Sequence, residues 1–174
     1  MHSLFHDMPQ FVPQDFCLEC EGCCRFQAQD HDWRPKVAEN NLSPLNKDVK
    51  SSYYQSIDPD GRIKTKEISY MAYCQFLDSL FNKCMVYTER PFECRLYPFL
   101  VERKGKKVFI SVHLACPYIQ EKRYTKDFDV YKNALEKYFE KHHALEFFKK
   151  NSYLIEDYTA YQDEIEEMFV LGAA

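Results

Sequence analysis

The chain has 174 residues, of which 45% are hydrophobic and 16% aromatic, and its formal net charge is -4. This length fits one domain with a core of its own, and so high an aromatic content argues against disorder. The slightly negative charge offers no basic surface for a phosphate backbone, so we expect no nucleic-acid partner.

The start of the chain and its cysteine content indicate a compartment. Residues 1–9 contain neither a basic segment nor an apolar run, so they do not look like a secretory signal. No stretch of sequence is long and apolar enough to span a membrane, and we predict a cytoplasmic protein without a membrane partner. Thiols stay reduced in that compartment, so the eight cysteines are expected to bind metal and not to form disulfides.

Half of these cysteines lie in one short segment, Cys17-x-x-Cys20-x-x-Cys23-Cys24. Two-residue gaps allow three thiolates to face one centre from a loop, and Gly22 offers a positive φ with which the loop can wrap closely around an ion. Ferredoxin-type cluster loops have this spacing, and a distant cysteine followed by proline, as in Cys116-Pro117, completes the ligand set of the cluster. A Cys-x-x-Cys pair alone would suit zinc equally well. The adjacent Cys23 and Cys24 would point to opposite sides and serve different centres or roles.

The middle of the chain predicts short elements that carry three further cysteines. Residues 27–50 are polar, with four apolar anchors and a helix start at Ser43-Pro44. The sequence Asp-Pro-Asp-Gly at residues 58–61 predicts a turn. Residues 70–77 and 80–87 look like two short strands joined by a turn, and residues 89–96 like a short helix capped by Thr88. The anchors are Trp33, Val37, Leu42 and Leu45, and the cysteines are Cys74, Cys84 and Cys94.

The later part predicts a hairpin and two helices. Residues 99–103 and 107–112 should pair around a turn at 104–106, with Val108, Ile110 and Val112 on one face. Two apolar stripes at helical spacing follow, and we interpret both as core. They are Phe128, Tyr131, Leu135, Tyr138 and Phe139, and then Leu154, Tyr158, Tyr161, Ile165, Met168 and Phe169.

Histidine and arginine are the remaining candidates at a metal site. His113 could be a ligand, but eight cysteines suffice for two four-coordinate sites, so we interpret it as a strand residue. His142 and His143 are expected at the surface, and His31 stays open. Two arginines, Arg90 and Arg95, flank Cys94, where a guanidinium would offset thiolate charge. We favour Arg95 for this role, with a surface ion pair as the alternative for either residue.

The combined motifs resemble the YkgJ-type cysteine-cluster family. The resemblance covers residues 15–118, rests on the early cysteine cluster and continues through Cys74-x-Phe76-Leu77 and Cys84-x-x-Tyr87-x-x-Arg90-Pro91-x-x-Cys94-Arg95-x-Tyr97-Pro98-Phe99. That family is described as a zinc- or iron-chelating domain, and a related domain occurs in a flagellin lysine N-methylase. Methylation is not implied here, because the chain has only four glycines and no glycine-rich nucleotide loop.

Residues and resemblance together lead to one reading. We expect a single α+β domain over residues 1–174, with an irregular cysteine-rich region at 15–118, short hairpins, and a helical region at 125–170 packed against it. All eight cysteines are candidate ligands of an iron–sulfur cluster of 4Fe–4S type or of iron, with Arg90 and Arg95 beside it. The role would be redox or modification of a protein partner. The alternative is a zinc-binding interaction module without catalysis, and whether the protein is an enzyme stays open.

Overall fold

The computed structural model describes residues 7–27, 32–38, 42 and 45–174. Its mixture of helices and antiparallel sheets places the chain in the predicted α+β class. The chain divides into two compact units: unit 1 is Met1–Val12 with Leu96–Ala174, and unit 2 is Pro13–Arg95. The assignment of the whole chain to one domain stays a prediction.

Unit 2 is built from short elements. Two strands, β1 and β2, flank β3 in an antiparallel sheet, and β4 pairs with β5 in a separate ribbon. The helices are α1 (Gln14–Glu19), α2 (Lys47–Gln55) and α3 (Phe92–Leu96), whose last residue belongs to unit 1. The strands are β1 (Arg25–Phe26), β2 (Thr65–Ile68), β3 (Met71–Cys74), β4 (Leu77–Asp78) and β5 (Lys83–Cys84).

The predictions for unit 2 hold in part. The turn at residues 58–61 is confirmed, because the Gly61 amide donates to the Asp58 carbonyl (2.9 Å) and Gly61 has a φ of +82°. The two strands predicted at 70–77 and 80–87 are shorter, and only β4 and β5 pair with each other, since β3 is taken by β1 and β2. The helix start at residues 43–44 lies outside the described residues. A separate helix, α2, begins after Asn46, whose side chain accepts from the Val49 amide (3.0 Å).

The apolar core of unit 2 lies directly beside the thiols. Tyr53 is fully buried, its ring is 4.8 Å from that of Phe76, and its hydroxyl donates to the Glu89 carbonyl (2.8 Å). Cys74 belongs to the same buried cluster, and Cys24 packs against it. The thiols are therefore held partly in an apolar environment, which disfavours their charged form unless a cation or a donor is near.

Unit 1 is organised around a three-stranded antiparallel sheet in the order β6-β7-β8. The predicted hairpin is confirmed as β6 (Phe99–Lys104) and β7 (Lys107–His113), and Val108, Ile110 and Val112 are fully buried. The third strand is β8 (Ile165–Ala173). The helices are α4 (Pro117–Lys122), α5 (Lys126–Lys141) and α6 (Ala144–Lys150), followed by 3-10 turns at Ser152–Leu154 and Thr159–Glu164.

Of the two helices predicted for the last third, the first is confirmed and the second is wrong. Helix α5 buries Phe128, Tyr131, Leu135 and Phe139, as the first stripe predicts. The second stripe ends in β8, which pairs with β7 and covers a strand edge that would otherwise expose unpaired backbone. A register shift opposite Ile110 and Ser111 interrupts the alternation of β8, and the consecutive Met168 and Phe169 are both buried. This bulge imitates helical spacing in the sequence.

None of the helices formed by the described residues is long and apolar enough to cross a lipid bilayer.

Candidate metal centre

The cysteine cluster spans the end of α1 and the turn that leads into β1. Cys17 lies within α1, and the Cys20 amide donates to the Phe16 carbonyl (2.9 Å) where the helix ends. The Arg25 amide then donates to the Gly22 carbonyl (3.0 Å) and closes a turn. Gly22 does not take the expected positive φ; a Cβ there would lie 3.1 Å from the Cys20 sulfur. The presence of glycine at position 22 is therefore explained by the short distance to the Cys20 sulfur, which leaves little room for a side chain.

Three other elements bring cysteines to this loop. The Cys74 amide, at the end of β3, donates to the Cys24 carbonyl (2.9 Å), while Cys84 ends β5 and Cys94 lies on α3. Electrostatic interactions link the thiols. The Cys17 thiol interacts with those of Cys20, Cys24 and Cys84, and the Cys94 thiol interacts with those of Cys74, Cys24 and Cys84. Cys23 interacts with Cys17, Cys24 and Cys94. Seven of the eight predicted ligands thus share one neighbourhood in unit 2.

The eighth cysteine belongs to unit 1. Cys116 is buried and directly precedes α4, with Pro117 in the first turn. Its place among the ligands stays a prediction.

The seven thiols fit a metal by their chemistry, although they are not yet arranged as ligands around a point. Clustered reduced thiols are the donors that zinc, iron and iron–sulfur clusters use, and all eight cysteines are free. Within the described part of the chain, no three histidine, cysteine or carboxylate side chains already surround a common point.

Burial keeps several of these thiols protonated. Burial raises the pKa of Cys17 to about 11 and that of Cys74 to about 12, and it raises the pKa of Cys94 well above its ordinary value. A metal binds the thiolate, so binding at these positions must displace protons, and affinity is expected to rise with pH.

The pKa values of the adjacent Cys23 and Cys24 shift in opposite directions. The Cys23 thiol donates a hydrogen bond to the Cys24 sulfur, which raises the pKa of Cys23 and lowers the pKa of Cys24. The guanidinium groups of Arg25 and Arg90 lower the Cys24 pKa further, against the effect of burial. Of this pair, Cys24 is the thiol whose charged form is favoured by its surroundings.

Backbone amides provide a second source of thiolate stabilisation. The Phe76 amide donates to the Cys74 sulfur and the Val86 amide donates to the Cys84 sulfur, each two residues beyond its cysteine. Both hydrogen bonds lower the thiol pKa, against the larger effect of burial. Hydrogen bonds to sulfur favour the thiolate, and in metal centres they tune the site.

The two predicted arginines have different surroundings. The positive charge of the partly buried Arg90 acts to lower the pKa of Cys17, Cys24, Cys84 and Cys94, but at Cys17, Cys84 and Cys94 the larger effect of burial raises the pKa. The Arg90 guanidinium lies 3.9 Å from the centre of the Tyr87 ring. The guanidinium of Arg95 donates to the Thr88 carbonyl and, through Nε (3.1 Å), to the Arg90 carbonyl. The role predicted for Arg95 stays a prediction, but the contacts favour Arg90 as the cation beside the thiols.

Replacing Arg90 by leucine is expected to weaken metal binding by about tenfold, since outer-shell partners of metal sites commonly contribute this much. If the metal is an iron–sulfur cluster, the reduction potential should also fall, because the more negative reduced state loses a cation. Arg90→Lys should recover only part of the effect, since a point charge lacks the planar guanidinium.

The matched control is Arg95→Leu, which removes the same charge five positions further on. Chelator competition, and potentiometric titration for a redox-active metal, compare the variants under anaerobic conditions. A larger effect for Arg95→Leu than for Arg90→Leu would restore the assignment favoured by the sequence.

The described histidines all belong to unit 1. His113 lies on β7 as predicted; it is buried, and its Nδ1 is 3.1 Å from the Tyr97 hydroxyl and its Nε2 3.4 Å from a Glu164 oxygen. Burial lowers its pKa, against the effect of Glu164. His142 and His143 fall between α5 and α6, where His143 has a φ of +50°. His31 is not among the described residues.

Two residues near the thiols were not predicted from the sequence. Arg25 donates to the Asn82 side chain (3.0 Å) and lies beside the exposed carboxylate of Glu21 (3.5 Å). Asn82 contacts the cysteine loop from the turn between β4 and β5. The position of Arg25 directly after Cys24 was an available signal. Asn82 had no such signal, since its contacts join residues more than fifty positions apart.

Clustered cysteines of this kind are typical of metal-binding proteins. A family model matches residues 16–123, more than half of the chain, and the family is CxxCxxCC, with the description "putative zinc- or iron-chelating domain". The chain belongs to this family, which confirms the resemblance read from the motifs. Neither the curated proteins nor the solved structures contain a match to the chain.

Proposed function

We propose that unit 2 binds an iron–sulfur cluster of 4Fe–4S type, or iron, through a subset of its seven cysteines, with Cys116 as a further candidate ligand. The protein would use this centre in electron transfer or in the modification of a protein partner in a reducing, cytoplasmic environment. Whether the seven sulfurs serve one centre or two follows from the metal content per chain.

One observation carries the proposal: the thiols have charge-stabilising partners besides each other. Cys74 and Cys84 accept backbone amide hydrogen bonds, and the Arg25 and Arg90 guanidiniums favour the Cys24 thiolate. A cluster held by several thiolates carries net negative charge, which such donors and cations offset.

The second candidate is a zinc-binding module, and the position of Cys74 favours it. Cys74 belongs to the buried apolar cluster of unit 2, so a metal bound there would link the core to the loop. Closed zinc sites contribute folding free energy in this way without supplying chemistry. The surface of unit 2 would then serve interaction with a protein partner.

Anaerobic purification followed by metal analysis distinguishes the two candidates. A brown protein with broad visible absorbance, bound iron and acid-labile sulfide supports the cluster. A colourless protein with stoichiometric zinc supports the alternative. A protein that holds neither metal, and cannot be loaded with iron and sulfide or with zinc, would contradict both. Metal content should be compared with that of a Cys20→Ser Cys84→Ser double variant, which removes ligands from two elements.

A further inference from the structure

The turn between β4 and β5 presents an asparagine to the cysteine loop. Asp78 shapes this turn, because its Oδ1 accepts from the amides of Leu80 (3.0 Å) and Phe81 (3.3 Å). Asn82 follows with a φ of +50°, a conformation that asparagine tolerates better than most residues. Its partly buried side chain lies against the loop.

Both ends of the Asn82 amide group are bonded. Nδ2 donates to the carbonyl oxygens of Leu18 (2.9 Å) and Cys20 (3.3 Å), and Oδ1 accepts from the Arg25 guanidinium (3.0 Å). These contacts bridge 64, 62 and 57 positions of sequence. One side chain therefore satisfies two carbonyl groups and one cation of the loop.

Each of these contacts lies at or next to a cysteine. Leu18 follows Cys17, Arg25 follows Cys24, and Cys20 is itself a predicted ligand. Asn82 lies two residues before Cys84, which is the last residue of β5. The Asn82 side chain consequently joins the segment with four thiols to the hairpin that supplies a fifth.

We propose that Asn82 is a positioning residue for metal binding, which fixes the cysteine loop relative to Cys84 before the metal arrives. The inference rests on the proposed function, in that these cysteines bind metal. A loop held in place by three hydrogen bonds loses less conformational freedom on binding than a free loop. Outer-shell contacts of this kind typically change metal affinity by about 10- to 100-fold.

Two substitutions distinguish the contribution of the Asn82 side chain from that of the left-handed backbone at this position. Asn82→Gly keeps the left-handed backbone and removes every side-chain bond. Asn82→Asp keeps an acceptor for Arg25 but has no donor for the two carbonyls. The matched control is Ser69→Gly, because Ser69 also has a positive φ (49°), in the turn between β2 and β3.

The test measures the dissociation constant of Zn(II) for metal-free, reduced protein by competition with a chromophoric chelator. Both Asn82 variants should bind Zn(II) about 10- to 100-fold more weakly than the wild type, and Ser69→Gly should bind like it. Zinc should also leave the Asn82 variants faster on chelator addition. The thermal midpoint of each metal-free variant, followed by Trp33 fluorescence, shows the folded fraction at the assay temperature.

The outcomes separate the two proposals. If the wild type binds Zn(II) and the folded Asn82 variants bind it as tightly as Ser69→Gly, the positioning role is overturned and metal binding stands. The same conclusion holds if the loss of affinity equals the loss of folded protein. If the wild type binds neither Zn(II) nor Fe(II), the proposed function fails and this inference fails with it.

Discussion

Replacement of Cys17, Cys20 or Cys23 by serine is expected to lower metal affinity by about a hundredfold or more. Structural zinc sites in peptides bind with about 10–16 kcal/mol, so one of four thiolates corresponds to about 3 kcal/mol. A serine hydroxyl does not replace a soft thiolate, which is the form that binds metal. Bound metal per chain and the absorbance spectrum, measured anaerobically, report the loss.

Two further serine variants make this experiment specific. Glu19→Ser places the same residue at an exposed position of the same segment, and it should leave the metal content unchanged. Cys116→Ser tests the predicted eighth ligand, and loss of metal would include Cys116 in the centre. The proposal that the three loop cysteines share one metal centre would be wrong if any of their variants kept the wild-type metal content and spectrum.

Removal of the metal is expected to destabilise unit 2 much more than unit 1. A ligand present at about a thousand times its dissociation constant stabilises the native state by about 4 kcal/mol, and chelation removes this contribution. The only tryptophan, Trp33, packs against the core of unit 2, so its fluorescence follows that unit. The circular dichroism of α5, the longest described helix, follows unit 1.

Unit 1 is expected to keep its structure because its core contains no cysteine cluster. Its sheet buries Val108, Ile110 and Val112 completely, and α5 buries Leu135 and Phe139. In thermal unfolding, chelator should lower the midpoint seen by Trp33 and leave most of the helical signal at that temperature. Re-addition of metal should restore the midpoint. An unchanged Trp33 transition after verified metal removal would show that the metal is peripheral to the fold of unit 2.

The sequence by itself determined the elements whose signals are local. The hairpin of β6 and β7 follows from alternation around a short turn, and α5 follows from an apolar stripe that one helix face satisfies. The cysteine spacing and the motif around Arg90 and Cys94 likewise identify the family, because these residues form a pattern that needs no folding to read. The same spacing does not determine the metal, since zinc and iron–sulfur clusters accept the same thiolates.

The tertiary structure decided the features that depend on distant partners. Residues 165–173 form a strand because β7 offers them an edge, and a bulge conceals their alternation in the sequence. The electrostatic influence of Arg90 on four cysteines, and the contacts of Asn82 with the loop, likewise exist only once separate segments meet. Spacing along a chain fixes which side chains share a face of one element. Which charge or amide meets a thiol from another element is decided only by the packing that brings those elements together.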